Sequence, residues 1–353
     1  MTTSLSQQYH RSIGYKIALL VAAAILLPVM LCVSIAVGAA SVPLAETVRI
    51  LCGYKAEPRL VAIVMDIRLP QSLAAIIAGA GLAVSGATMQ GVLRNPLCSP
   101  ATLGIAHAAA FGAALALFIG GGQVVAMDNT LAGYGLSKGI VAGGAFLFAM
   151  LTAGIMLALG RLRGTRSESL ILIGLAMNAL FYAGLTLLQY LADDARLAAI
   201  VYWTFGDTAR ATWNGIAFMT VCLLPVSAYF ILQSWNYNAL MFGEETAQGL
   251  GVPVRQLRIV TLLLASFLTA VLVSLLGIIG FVGLVVPHLA RLAIGSDNRF
   301  LLPFSFLFGG LLLLVSDTCA RLIHAPGVLP VSILTAFIGV PVFLGLLLGK
   351  KSL

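Results

Sequence analysis

Charge is what this sequence has least of. Only 9% of its 353 residues are Asp, Glu, Lys or Arg, against about a quarter in soluble domains. Hydrophobic residues make up 60%, and the mean hydropathy is +1.05. A water-soluble fold of this length has no way to hide that much apolar surface, so the chain reads as an integral membrane protein. The alternating segments of an outer-membrane barrel are missing as well. Helices, the other way to satisfy backbone polar groups in lipid, remain. The five cysteines, at 32, 52, 98, 222 and 319, are odd in number and lack metal or redox spacing. The four histidines, at 10, 107, 288 and 324, are equally scattered, and neither a metal site nor a cofactor is expected. There is no Gly-rich phosphate loop, no Ser/His/Asp set and no paired carboxylate site within a span. These absences count against a membrane-embedded enzyme and leave any uphill work to a partner or an ion gradient. No basic run is interleaved with aromatics, so the pI near 9.5 does not point to nucleic acid.

What the sequence has is long apolar runs. Ten segments suit spans of about 20 residues: 17–37, 72–92, 101–120, 139–159, 168–190, 213–232, 259–279, 281–294, 301–321 and 330–348. The first is too long for a signal-peptide core and reads as a retained span. The third and eighth are weak as isolated spans; the eighth holds Pro287, which predicts a broken or tilted helix. The expected fold is all-α, one transmembrane domain over 1–353, with both termini cytoplasmic. Charge supports that orientation. The segments then placed inside hold Arg11, Lys16, Arg94, Arg161, Arg163, Arg166, Arg255, Arg258, Arg291, Arg299, Lys350 and Lys351 against Glu168, Glu244, Glu245 and Asp297. The whole net charge of +8 falls on the inner face, as the positive-inside rule requires.

The inner segment GEETAQGLGVPVRQLR, 243–258, is polar and helix-prone between two spans. Gly243 can end the preceding structure, and Glu244 and Glu245 fall where the helix dipole favours acids. Ala247 and Leu250 lie within the helix-forming run, Gly251 can occupy C′, and Pro253 blocks continuation. The pattern predicts a short helix with rigid ends against the membrane face. Elsewhere, Arg68 and Pro70 mark a membrane entry, and Gly79, Gly81 and Gly86 supply small residues for close helix packing. His288 follows Pro287 in an apolar context and reads as a cap on a broken helix. Asp317 and Arg321 are four apart and can pair on one helix face.

Four stretches together carry a resemblance: RLP…GAGLAVSG…MQ…RNPL, GEETAQGLGV, GFVGLVVPHLAR with the following G.D.R..LP, and LPVSILTAFIGVPVF. From about residue 65 onward the chain resembles the FecCD-type permeases, the membrane subunits of type II ABC importers for ferric siderophores, haem, vitamin B12 and some molybdate. The resemblance implies two copies of a ten-helix subunit around a central pathway, two ATPase subunits below, and a periplasmic or lipid-anchored substrate-binding protein above, in a bacterial or archaeal cytoplasmic membrane. Gly243, Glu244, Glu245, Ala247, Leu250 and Gly251 match the family's ATPase-coupling helix. Arg68 and Arg321 match outer positions that dock the binding protein, and Gly174 and Asn178 match pathway-lining positions on the fifth span. At a third docking position this chain has Gln71, and Val328 and Ser332 replace a Glu and a Gly that many members carry. Ferric siderophore leads the substrate classes, with cobalamin and haem next. A gradient-driven carrier is the competing reading; such carriers usually bury carboxylates in their spans, which are scarce here.

Overall fold

The apolar runs become helices because lipid offers no other hydrogen-bond partner to their backbones. The computed structural model describes residues 5–38, 42–126, 131–162, 166–323 and 329–348, and it has no strand among them. In chain order the helices are α1 (Leu5–Ala36), α2 (Leu44–Leu51), α3 (Pro58–Ala62), α4 (Leu69–Leu93), α5 (Ile105–Ala126), α6 (Leu131–Leu162), α7 (Ser167–Leu191), α8 (Asp194–Thr204), α9 (Trp213–Leu232), α10 (Ser234–Met241), α11 (Glu244–Gly249), α12 (Val254–Leu276), α13 (Val282–Ile294), α14 (Asn298–Ile323) and α15 (Val331–Leu348). Among the described residues seven helical runs are long and apolar enough to cross a membrane, and three shorter apolar helices, Ile105–Gly120, Val282–Ile294 and Val331–Gly345, complete a set of ten. Each falls on one of the ten expected segments.

The expected boundaries need three corrections. The span expected at 72–92 begins earlier: a helical run starts at Pro58 and passes through a π-helical stretch, Ile63–Arg68, into α4. Pro70 has no N–H for the carbonyl four residues back, and the wider π turns just before it absorb that mismatch. The break expected at Pro287 lies earlier. Gly277 ends α12 at φ 82°, Phe281 sits at φ 65°, and α13 then runs unbroken past Pro287. Finally, the glycines of α4 serve two faces rather than one. Gly79 and Gly86 look toward α14 and α13, whereas a side chain on Gly81 would meet Leu272 and Leu223 of α12 and α9.

α4 is the axis of the bundle. All but four of its 25 residues are buried, and it packs against α14, α12, α13 and α9. Its small residues allow this. A Cβ on Gly79 would stand 2.2 Å from the Gly309 carbonyl oxygen, and one on Gly86 would stand 1.8 Å from that of Gly283. The Gly283 carbonyl is the one whose usual helical partner is the missing N–H of Pro287. The kink-prone turn of α13 is thus laid on a glycine. Gly112 and Gly144 make a similar crossing between α5 and α6, at 2.2 Å.

Gly86→Ala should therefore force α4 and α13 apart, lowering stability by about 1–3 kcal/mol as overpacking does. Gly91→Ala, where a Cβ meets nothing within 4 Å, should leave it unchanged. Thermal unfolding of the detergent-solubilised protein checks both; equal Tm for Gly86→Ala and the parent would contradict the crossing.

Candidate functional site

The predicted short helix is α11, and its ends are built as its residue types require. Gly243 precedes it at φ 117°, ψ 156°, a backbone region open in practice to glycine. At the other end Gly251 takes φ 83°. The Val252 N–H donates to the Ala247 carbonyl at 3.0 Å and the Gly251 N–H to that of Gln248 at 2.9 Å. These two bonds form a Schellman motif, with Ala247 and Val252 both buried beneath it. Glu245, Gln248 and Leu250 are exposed. The helix therefore has a fixed underside and a free outer face.

Three anchors hold this region to the spans. Arg258, in α12 and only 2% exposed, pairs with Glu244 at 2.5 Å through one terminal nitrogen, while its Nε lies 3.4 Å from the Val92 carbonyl oxygen near the end of α4. The Tyr237 hydroxyl in α10, fully buried, meets Thr261 Oγ1 of α12 at 2.8 Å. Asn238 donates to Asp297 Oδ1 and accepts from the Asn298 backbone N–H, each at 2.8 Å, tying α10 to the start of α14. Arg299 closes that corner, on Asp297 at 2.6 Å and over the Trp235 ring at 4.4 Å. A little further in, Arg291 of α13 donates to Gln90 of α4 at 2.6 Å. Bonds as well as chain connectivity thus join α10 and α11 to α4, α12 and α14. Sequence reasoning took Arg258 as a residue leading back to the membrane. The signal for its role was a cation within the first turns of a span.

Burial raises the Asp297 carboxyl, but the hydrogen bonds from Arg299 and Asn238 outweigh it, leaving the group lowered from 3.8 to about 2. A carboxyl so depressed stabilises the folded state fully above pH about 4 and loses that contribution as pH falls through 2.

At the opposite end, Arg68 and Arg321 come together from distant parts of the chain, but not as an exposed docking pair. Both are buried. Arg68 donates to the carbonyls of Ile35 and Ala36 at 2.8 and 3.0 Å, and Arg321 to the Ser34 carbonyl at 3.1 Å and hydroxyl at 2.6 Å. The reason is local: α1 ends here, its last carbonyls lack helical donors, and cations suit a helix C-terminus. Asp317, 2% exposed, balances the charge. It accepts from Arg321 Nε at 3.1 Å, from Gln71 Nε2 at 3.0 Å and from the Thr208 hydroxyl. Gln71, which stands in place of a docking cation, is a donor in this buried network. Ser332 lies beside it in the fold, its N–H donating to the Gly206 carbonyl at 3.4 Å. Val328 lies outside the described residues.

Gly174 and Asn178 are apart from both clusters, on α7. A Cβ on Gly174 would stand 2.8 Å from Leu103 Cδ2, and one on Gly104 the same distance from the Asn178 nitrogen. Gly174 thus serves the close approach of α7 to the loop before α5, and half-buried Asn178 follows one turn later.

The model of the FecCD transport family matches residues 26–349. This chain belongs to that family. The match begins well before residue 65, so it takes in the later part of the first span as well. Among relatives, a protein of Methanocaldococcus jannaschii named as an ABC transporter permease is 50% identical over 303 residues, 86% of each chain. The hemin transport system permease protein of Yersinia pestis is 40% identical over 288 residues, 81% of this chain and 83% of its own. A solved structure described as a metal-chelate type ABC transporter in an inward-facing conformation superposes with a TM-score of 0.79 at 33% identity, over 93% of this chain and 97% of that one. The protein is an ABC importer permease with the type II permease fold.

Two outcomes test the anchors. Asp297→Asn should lower Tm at neutral pH and flatten the loss of stability between pH 4 and 2; an unchanged pH profile would refute the clamp. Asp317→Asn and Arg321→Gln should each cost about 3 kcal/mol by stranding a buried partner. The double variant should lose clearly less than the sum, and strict additivity of the three unfolding measurements would deny the pair.

Proposed function

We propose that this chain is the membrane subunit of an importer that carries a metal chelate across the cytoplasmic membrane of a bacterium or archaeon, driven by ATP hydrolysis in separate subunits. Two copies would enclose the pathway, with Gly174 and Asn178 on its wall, two ATPase subunits would dock below, and a substrate-binding protein would deliver cargo from above. Ferric siderophore is the first substrate class, with haem and cobalamin after it; the hemin permease of Yersinia pestis supports the haem alternative by similarity.

The observation that carries this reading is the construction of α11. A helix with a glycine at each end, a closed C-terminal cap and an ion-paired first residue resists deformation and so passes a push from a partner to the spans. Its exposed Glu245, Gln248 and Leu250 form the surface the ATPase would grip. Docking of the binding protein through Arg68 and Arg321 would require that partner to draw them off the end of α1. Lys55 and Arg59 are already exposed in the segment between the first two spans, and they offer a second set of cations. A gradient-driven carrier finds little support: Asp317, buried in α14, is held by three donors of its own chain.

Replacing Glu244 by Ala and Gly251 by Val strains the cap, since a β-branched residue is a genuine outlier at positive φ. In liposomes containing the companion ATPase, hydrolysis should persist while uptake falls roughly 10-fold or more, within the usual span of coupling energies. Undiminished uptake would remove α11 from the coupling path. Uptake by the purified permease with no ATPase present would overturn the reading as a whole.

A further inference from the structure

A cleft of about 620 Å³ opens between the cytoplasmic ends of α6 and α12, beside α11. Arg161, in the last turn of α6, and Arg255, in the first turn of α12, line it together with Gln248 and Gln256. Both arginines are exposed, and neither has a carboxylate at ion-pair distance among the described residues. The other end of the cleft is made by Ile259 and Val260. They stand five and six residues into the α12 run from Val254, roughly 7–9 Å deeper along the helix axis. The cleft is therefore cationic where the span leaves the membrane and apolar where the span enters it.

We infer that this cleft binds an acidic phospholipid of the inner leaflet, its phosphate between Arg161 and Arg255 and the upper part of its chains against Ile259 and Val260. The polarity runs in the same direction as that of the lipid. A free phosphate would use the cations and leave the apolar end empty. A protein loop reaching Ile259 and Val260 would carry backbone polar groups into a region that offers them no partner. Basic pockets between spans on the cytoplasmic side attract anionic headgroups electrostatically, and a volume of several hundred Å³ suits a ligand of this size. The inference depends on the membrane orientation, and because Gln248 of α11 also lines the cleft, transport is no part of its readout, so its failure is distinguishable from failure of the coupling role.

The full-length permease, purified in neutral detergent without any ATPase, is mixed with phosphatidylglycerol or with phosphatidylcholine, and bound lipid is counted by native mass spectrometry. Phosphatidylglycerol should be retained in preference. Arg161→Gln combined with Arg255→Gln should weaken its binding roughly 10- to 30-fold, as expected for two cations near a membrane surface, with no change in Tm because both side chains are exposed. Val260→Trp keeps both cations, narrows the apolar end and should weaken binding as well. Equal retention by parent and double variant, equal retention of the two lipids, or displacement of phosphatidylglycerol by an equal concentration of inorganic phosphate would each overturn the inference. In a separate co-expression with the companion ATPase, a double variant that keeps its lipid but no longer co-purifies with the ATPase would assign the cleft to that subunit instead.

Discussion

The bundle depends on how closely α4 approaches α13 and α14. Lipid tails are as apolar as leucine, so no hydrophobic drive pulls one span onto another, and cohesion comes from packing. At Gly79 and Gly86 a single added carbon would collide with a neighbouring carbonyl. Backbones separated by so little gain dispersion contacts along their whole length. Larger residues there would hold the helices apart and cost every contact that follows along α4.

With its middle packed smooth and small, α4 carries its polar business at its two ends. Gln71 and Ser72 face the outer cluster, where Asp317, Arg321, Thr208 and the end of α1 are joined. Gln90 and the Val92 carbonyl face the inner one, where Arg291 and Arg258 reach in from α13 and α12. Buried polar groups of this kind hold geometry because leaving any of them unpaired in a low-dielectric interior is costly. One buried rod thus connects the outer polar cluster with the level at which α11 is clamped. The proposed importer mechanism needs such a connection between a cytoplasmic push and an outer response.

The two clusters also show how differently the same residue types act at two depths. On the inner side Glu245, Gln248 and Leu250 remain exposed, and the ion pairs lie beneath them. On the outer side Arg68 and Arg321 cap the carbonyls of α1. A helix that ends inside the bundle leaves up to four carbonyls in need of donors, and arginine, with its five donors, is suited to supply them.

Much of this protein was legible from local rules. Hydrophobic run length located the seven long spans and the three shorter apolar helices, and Gly243, Gly251 and Pro253 marked the ends of α11, because each of those signals acts within a few residues of itself. Longer-range features were not legible. Arg258 reads only as a basic residue near a span until α4 and α11 are brought to it. Arg321 reads only as a partner for Asp317, and Arg68 only as the mark of a membrane entry, until α1 is seen to end between them. The break before α13 comes at Gly277 and Phe281 rather than at the proline, since an intact turn around Pro287 is allowed once Gly86 lies against it. Periodicity and turn chemistry are properties of neighbours along the chain, so the sequence alone determined the elements. The burial of an arginine or the tolerance of a proline is settled by residues hundreds of positions away, and that only the tertiary structure could decide.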